Sequence, residues 1–136
     1  MNRSILLAYQ SIIGVSDTLT GALLMVAPAI TLSLMHLHAP SETWVFLSFI
    51  GAFVLSVGLS CLYGAFLLYS RGSRSRLEIV WLLTAFTRSS VAIFILQQVL
   101  CGTLEAGWLT VAAIDAACVL FQGVGLHKGW LAHAAR

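Results

Sequence analysis

Apolar residues fall along the chain in four long blocks, separated by short segments rich in polar and turn-forming residues. The blocks cover residues 5–34, 43–70, 77–100 and 104–126. A helix needs about 20 residues to cross a hydrocarbon layer ~30 Å thick, and every block reaches that length. The pattern predicts an all-α, polytopic membrane protein. Four such spans with short loops nearly fill residues 1–136, so a single membrane domain, a four-transmembrane-helix bundle, is expected.

Within the blocks, small and polar residues recur at helical spacing. The first carries Gln10, Gly14, Asp17 and Gly21 on one face, leading to Pro28. Lipid would not solvate such a face, so it belongs inside the bundle, with Ser11, Ser16, Thr18 and Thr20 widening its polar sector. Pro28 has no amide hydrogen and is expected to kink the outer end of this span. The second block sets Gly51, Gly58, Cys61 and Ala65 on one face and Ser56, Ser60 and Gly64 on another, the pattern of a packing spine. The third aligns Trp81, Thr84, Arg88, Ala92 and Ile95. The fourth aligns Trp108, Val111, Ala112, Asp115, Cys118 and Gln122.

The first block has a competing reading as a secretory signal, with Ala27-Pro28-Ala29 as a poor cleavage site. Asp17 inside its apolar core and a run reaching about Leu34 argue against that, and the block is kept as a span.

Composition agrees with the pattern. The chain is 60% hydrophobic and only 9% charged, with mean hydropathy +0.97, whereas soluble domains run near a quarter charged. No basic run is interleaved with aromatics, which excludes a nucleic-acid surface. Cys61, Cys101 and Cys118 show neither CxxC spacing nor a disulfide framework; the first and third read as small packing residues, the second as a lone loop thiol. If the spans alternate, Arg3, Arg71, Arg74, Arg76, Lys128 and Arg136 share one side, while His36, His38, Glu42 and Glu105 occupy the other. The positive-inside rule then places both termini in the cytoplasm of a multi-pass protein of the cell's inner (plasma) membrane. Trp44 and Trp108 would mark the outer interface, and Tyr9, Trp81 and Trp130 the inner one.

The charges inside the blocks are the candidate chemistry. Arg88 has no charged neighbour within nine positions on either side, and an arginine at that depth needs a partner. Asp17 and Asp115 are the mid-block carboxylates available to it. Counted along their helices, all three lie roughly 15–18 Å from an interface, at the midplane. Two carboxylates facing one guanidinium leave a surplus negative charge, so the expected state is an Asp–Arg–Asp centre that holds one exchangeable proton. A buried ion pair that only fixes which helices are neighbours is the structural alternative. Gln10, Thr84, Trp108 and Gln122 lie on the same inward faces and are candidate ligand contacts, although glutamines in spans more often link helices. His36, His38 and Glu42 have the right side chains for a metal, but nothing fixes their geometry, and no metal is expected.

The second-span run FIGAFVLSVGLSCLYGAFLL, the basic loop after it, an arginine in span three and VAAIDAACVLFQ in span four resemble the DoxX-like small membrane proteins. MVAPAITLSLM is similar to the end of their first helix. The resemblance covers most of the chain, rests mainly on glycine and apolar patterning, and implies a four-helix membrane bundle. Some relatives serve as subunits of quinone-linked or redox assemblies. Here the only candidate haem ligands, His36, His38, His127 and His133, fall in loops or tail, so no cofactor is expected and the redox activity is not carried over.

Three functions are compatible with these residues. A lipophilic, quinone- or isoprenoid-like small molecule meets the centre, where Arg88 polarises an oxygen while Asp17 and Asp115 exchange a proton. Alternatively, the chain is an accessory subunit that docks on other membrane proteins, its charges being structural. A proton-coupled transporter acting as a homo-oligomer is the third. No motif names a reaction, and enzymatic activity is left open.

Overall fold

Asn2 opens the first helix by accepting a hydrogen bond from the Ser4 amide at 3.4 Å. The structure, a computed structural model, describes residues 2–134; Arg136 and the His133 side chain, both invoked above, lie outside that description. Helix α1 runs Arg3–Val26 and α2 Pro28–Leu34; α3 is Trp44–Tyr69, α4 Arg74–Leu100, α5 Leu109–His127 and α6 Trp130–Ala134. Short 3-10 turns at Ser41–Thr43 and Ala106–Trp108 lead into α3 and α5. The described residues contain no strand.

The expected kink is a full break. Ala27 leaves the helical region, with φ −148° and ψ 62°, because the ring of Pro28 crowds the residue before it. Pro28 then starts α2, where its missing N–H costs nothing. The first expected span, 5–34, is thus two helices. Helices α2 and α3 end in a shared device. His36 and Arg71 take positive φ, 54° and 52°, and the amide of the following residue reaches back five positions, Leu37 to Leu32 at 2.9 Å and Gly72 to Leu67 at 2.8 Å. Arg3 ties the start of α1 to the end of α3, donating to the Leu68 carbonyl at 2.9 and 2.7 Å and to that of Tyr69 at 2.8 Å.

The closest helix pair is α1 with α3, which run antiparallel. A Cβ on Gly21 would strike the Leu55 backbone, and one on Gly58 would strike Thr18. Glycine at these points lets the two backbones touch. Helices α3 with α4 and α4 with α5 complete the row. Apolar clusters close both ends. On the basic side Leu6, Leu67, Leu68, Leu77, Trp81 and Leu131 pack together under Tyr9, Phe121 and Trp130. On the other side Leu32, Leu37 and Leu47 pack with Met35, Ala39 and Trp108.

The distribution of polarity is inside-out. Gln10, Thr84, Arg88, Asp115 and Gln122 are buried, while Val45, Phe46, Phe86 and Leu120 stand exposed. Three helical segments, Ser41–Tyr69, Arg74–Leu100 and Ala106–His127, are long and apolar enough to cross a membrane. This is a helical membrane protein. Helix α1 has 24 residues, about 36 Å, and is long enough to cross, but with its polar residues it is not among the segments apolar enough to do so. One expectation is corrected: Trp81 is fully buried in the core, so it marks no lipid interface. Gly125 makes room for its indole, since a Cβ there would come within 2.5 Å of the ring.

Candidate functional site: a two-layer polar centre

Arg88 projects from the middle of α4 and is 4% exposed. Its Nη1 donates to Asp115 Oδ1 on α5 at 2.5 Å, and its Nη2 pairs with Asp17 on α1. One guanidinium therefore ties both α1 and α5 to α4, and the expected Asp17–Arg88–Asp115 centre is assembled. Both carboxylates retain a little exposure, 20% of the Asp17 side chain and 13% of that of Asp115. The thiol of Cys61, on α3, lies beside the guanidinium.

A second polar layer lies two helical turns, about 10 Å, toward the basic end. The offset is seven residues on each of three helices: Gln10 from Asp17, Trp81 from Arg88, and Gln122 from Asp115. Gln10 and Gln122 are fully buried, and Gln122 Nε2 donates to Thr84 Oγ1 at 2.9 Å. Thr84 in turn donates to the Val80 carbonyl at 2.8 Å.

Much of this layer is unsatisfied. Both amide atoms of Gln10, the Gln122 Oε1, the Trp81 Nε1, the Tyr9 hydroxyl and the Arg88 Nε are buried without a hydrogen-bond partner. The Cys118 thiol sits beside the Tyr9 hydroxyl, but not in hydrogen-bonding geometry. Buried polar atoms are normally paired, and each lone one costs about 1–3 kcal/mol. Among the described residues five of the seven such atoms lie in this layer, the other two being the Arg88 Nε of the ionic layer and the Thr18 Oγ1 on α1. Donors (Gln10 Nε2, Trp81 Nε1, Arg88 Nε, Tyr9 O–H) and acceptors (the two glutamine oxygens) are both present, a set that suits an uncharged group bearing oxygen.

Of the expected site residues, Asp17, Arg88 and Asp115 form the first layer, and Gln10, Thr84 and Gln122 the second. Trp108 stands apart, in the turn before α5, where it packs near Leu32, Leu37 and Leu47. Tyr9, Trp81, Cys61 and Cys118 were not expected as site residues. The shared seven-residue offset was the signal that would have found Trp81. In the loops, His38 faces Glu105 at 3.6 Å, both exposed. No cluster of three or more metal-ligating side chains forms among the described residues. Compared with known proteins, the chain matches no family model, no curated protein and no solved structure, so the reading of this centre rests on its own chemistry.

Proposed function

We propose that the chain is a DoxX-like, four-span protein of the inner (plasma) membrane, with both termini cytoplasmic, whose polar centre binds an uncharged lipophilic molecule of quinone- or isoprenoid-like character. The observation that carries this reading is the band of unpartnered buried atoms around Gln10, Trp81 and Gln122. A purely structural polar network would be selected for mutual satisfaction, whereas a binding site keeps its donors and acceptors for the ligand. The ionic layer above supplies a fixed positive group and two carboxylates that share its charge. The Arg88 Nε, which the ion pairs leave unused, is a further free donor in the ionic layer.

A second reading draws on the ion pairs themselves. Both terminal nitrogens of Arg88 are engaged by carboxylates, which suits a lock that holds α1, α4 and α5 together in a subunit of a larger membrane assembly.

Native mass spectrometry of the gently solubilised protein separates the two. The binding reading expects a small molecule at fixed stoichiometry, lost in the Gln10→Leu, Gln122→Leu double variant, which leaves the ion pairs in place. An empty bundle accompanied by other polypeptides at fixed stoichiometry would overturn it in favour of the subunit.

A further inference from the structure

Helices α3 and α4 run antiparallel but pack loosely beside the polar centre, leaving a groove of about 190 Å³ between them. At ~30 Å³ each, that is room for roughly six water-sized groups, a short stretch of a slender chain. Phe53, Val57 and Leu83 supply apolar walls; Ser56, Ser60, Thr84 and Thr87 supply hydroxyls. Ser56 and Thr87 are exposed on the outer surface of the bundle, so the groove opens sideways.

The hydroxyls have a definite polarity. Ser56 donates to the Ala52 carbonyl and Ser60 to that of Ser56, both at 2.8 Å, and Thr87 donates to that of Leu83 at 3.0 Å. Their hydrogens are therefore spent on the backbone, and each oxygen offers acceptor lone pairs alone. The innermost hydroxyl, Thr84, already accepts from Gln122 and so joins the groove to the buried layer. One turn further along α3, Gly64 leaves a notch that the amide of Gln10 fills, with Val80 beside it: a Cβ on Gly64 would meet the Gln10 Nε2 at 2.5 Å. That amide is fully buried and has no partner for either atom.

We propose that this groove is the lateral portal of the polar centre, and that it selects a neutral, slender-chained lipid alcohol over the corresponding carbonyl compound or ether. The inference rests on the binding function proposed above and specifies the substrate class. The chain lies along Phe53, Val57 and Leu83 with access from the hydrocarbon. The head passes a wall of acceptors, which only a donor can satisfy, toward Gln10, which offers both a donor and an acceptor. A charged head is excluded by the apolar surroundings and by the commitment of both Arg88 terminal nitrogens.

Equilibrium binding in lipid nanodiscs, read by native mass spectrometry, tests this with geranylgeraniol and its methyl ether as probes. The wild-type protein is expected to bind the alcohol about tenfold more tightly than the ether, the worth of one hydrogen bond. In the Ser56→Ala, Ser60→Ala double variant, whose changes lie outside the packed core, the ratio is expected to fall to near one. Ser60→Phe, which fills the groove, is expected to abolish binding of both probes. Equal affinities in the wild type, or an unchanged ratio in the double alanine variant, would overturn the proposal. A co-purifying molecule that survives Ser60→Phe but is lost in Gln10→Leu, Gln122→Leu would remove the portal and leave the centre standing. Alcohol binding that survives the glutamine changes but not Ser60→Phe would do the reverse.

Discussion

A single side chain, Arg88, holds two carboxylates, and the charge count decides how each partner responds to substitution. Arg88→Gln leaves Asp17 and Asp115 facing each other with no cation, and breaking a buried pair in this way costs about 3–5 kcal/mol. Asp115→Asn instead leaves one cation with one anion, a neutral pair, and is expected to cost clearly less. The Asp17→Asn, Asp115→Asn double variant restores the problem, now as a lone buried guanidinium, so its cost is expected to exceed the sum of the singles. Unfolding of the wild type, of Arg88→Gln, Asp17→Asn and Asp115→Asn, and of the double variant in one detergent measures this; equal losses for the three single variants would refute the shared-charge description. Arg88 and its partners were legible in the sequence because a charge inside an apolar block must be answered by another. Cys61, Cys118 and Trp81 were not, because a thiol or an indole is equally at home in a core, and nothing in composition says which polar atom it faces. Trp81 followed the usual placement of tryptophan at interfaces until Gly125, on a different helix, made space for it in the interior.

Among the elements, the α1–α3 pair is set by glycines whose spacing was legible, although their partners were not. The sequence marked α3 as a spine; only the fold shows that the helix lying on it is α1, with Gly21 against Leu55 and Gly58 against Thr18. Because the nearest atom facing Gly58 is the Thr18 backbone nitrogen, with the Thr18 Cα beside it, it cannot move aside as a side-chain tip would. Gly58→Val is therefore expected to destabilise the protein by roughly 1–3 kcal/mol through overpacking. Gly123 on α5 has nothing within 4 Å of a Cβ, so Gly123→Ala is expected to be neutral or slightly stabilising in the same unfolding assay. Equal effects at the two positions would mean that the helices do not approach as described. The same limit explains Pro28. Its sequence position announces a disturbed helix, but whether the chain bends or breaks depends on the backbone of Ala27, which at φ −148° and ψ 62° leaves the helix outright.

At the scale of the whole molecule the question is how many times the chain crosses the bilayer, and α1 decides it. Hydropathy identifies three crossing segments, and α1 falls short because its polar face is turned inward. Packing argues for a fourth crossing. Helix α1 lies antiparallel along α3 from Gly14 against Leu62 to Gly21 against Leu55, and Asp17 meets Arg88 in the interior of the bundle. A fourth crossing would set α1 at the depth of the helix it lies along. Of the polar residues that lower its hydropathy, Gln10 is buried and Asp17 is largely covered, the inside-out arrangement a membrane favours. With four crossings both ends of the chain lie on the side of Arg71, Arg74 and Arg76, which the positive-inside rule makes cytoplasmic; with three they lie on opposite sides. Native Cys101 is exposed at the other end of the bundle, whereas Cys61 and Cys118 are buried and silent. In intact cells a membrane-impermeant maleimide is expected to label Cys101 from outside. On a Cys101→Ser background, Asn2→Cys and Ser73→Cys are both expected to label only after permeabilisation. Labelling of Asn2→Cys from outside, with Ser73→Cys protected, would show three crossings and place α1 outside the bilayer, and an Asp17–Arg88 pair at the midplane would then be untenable.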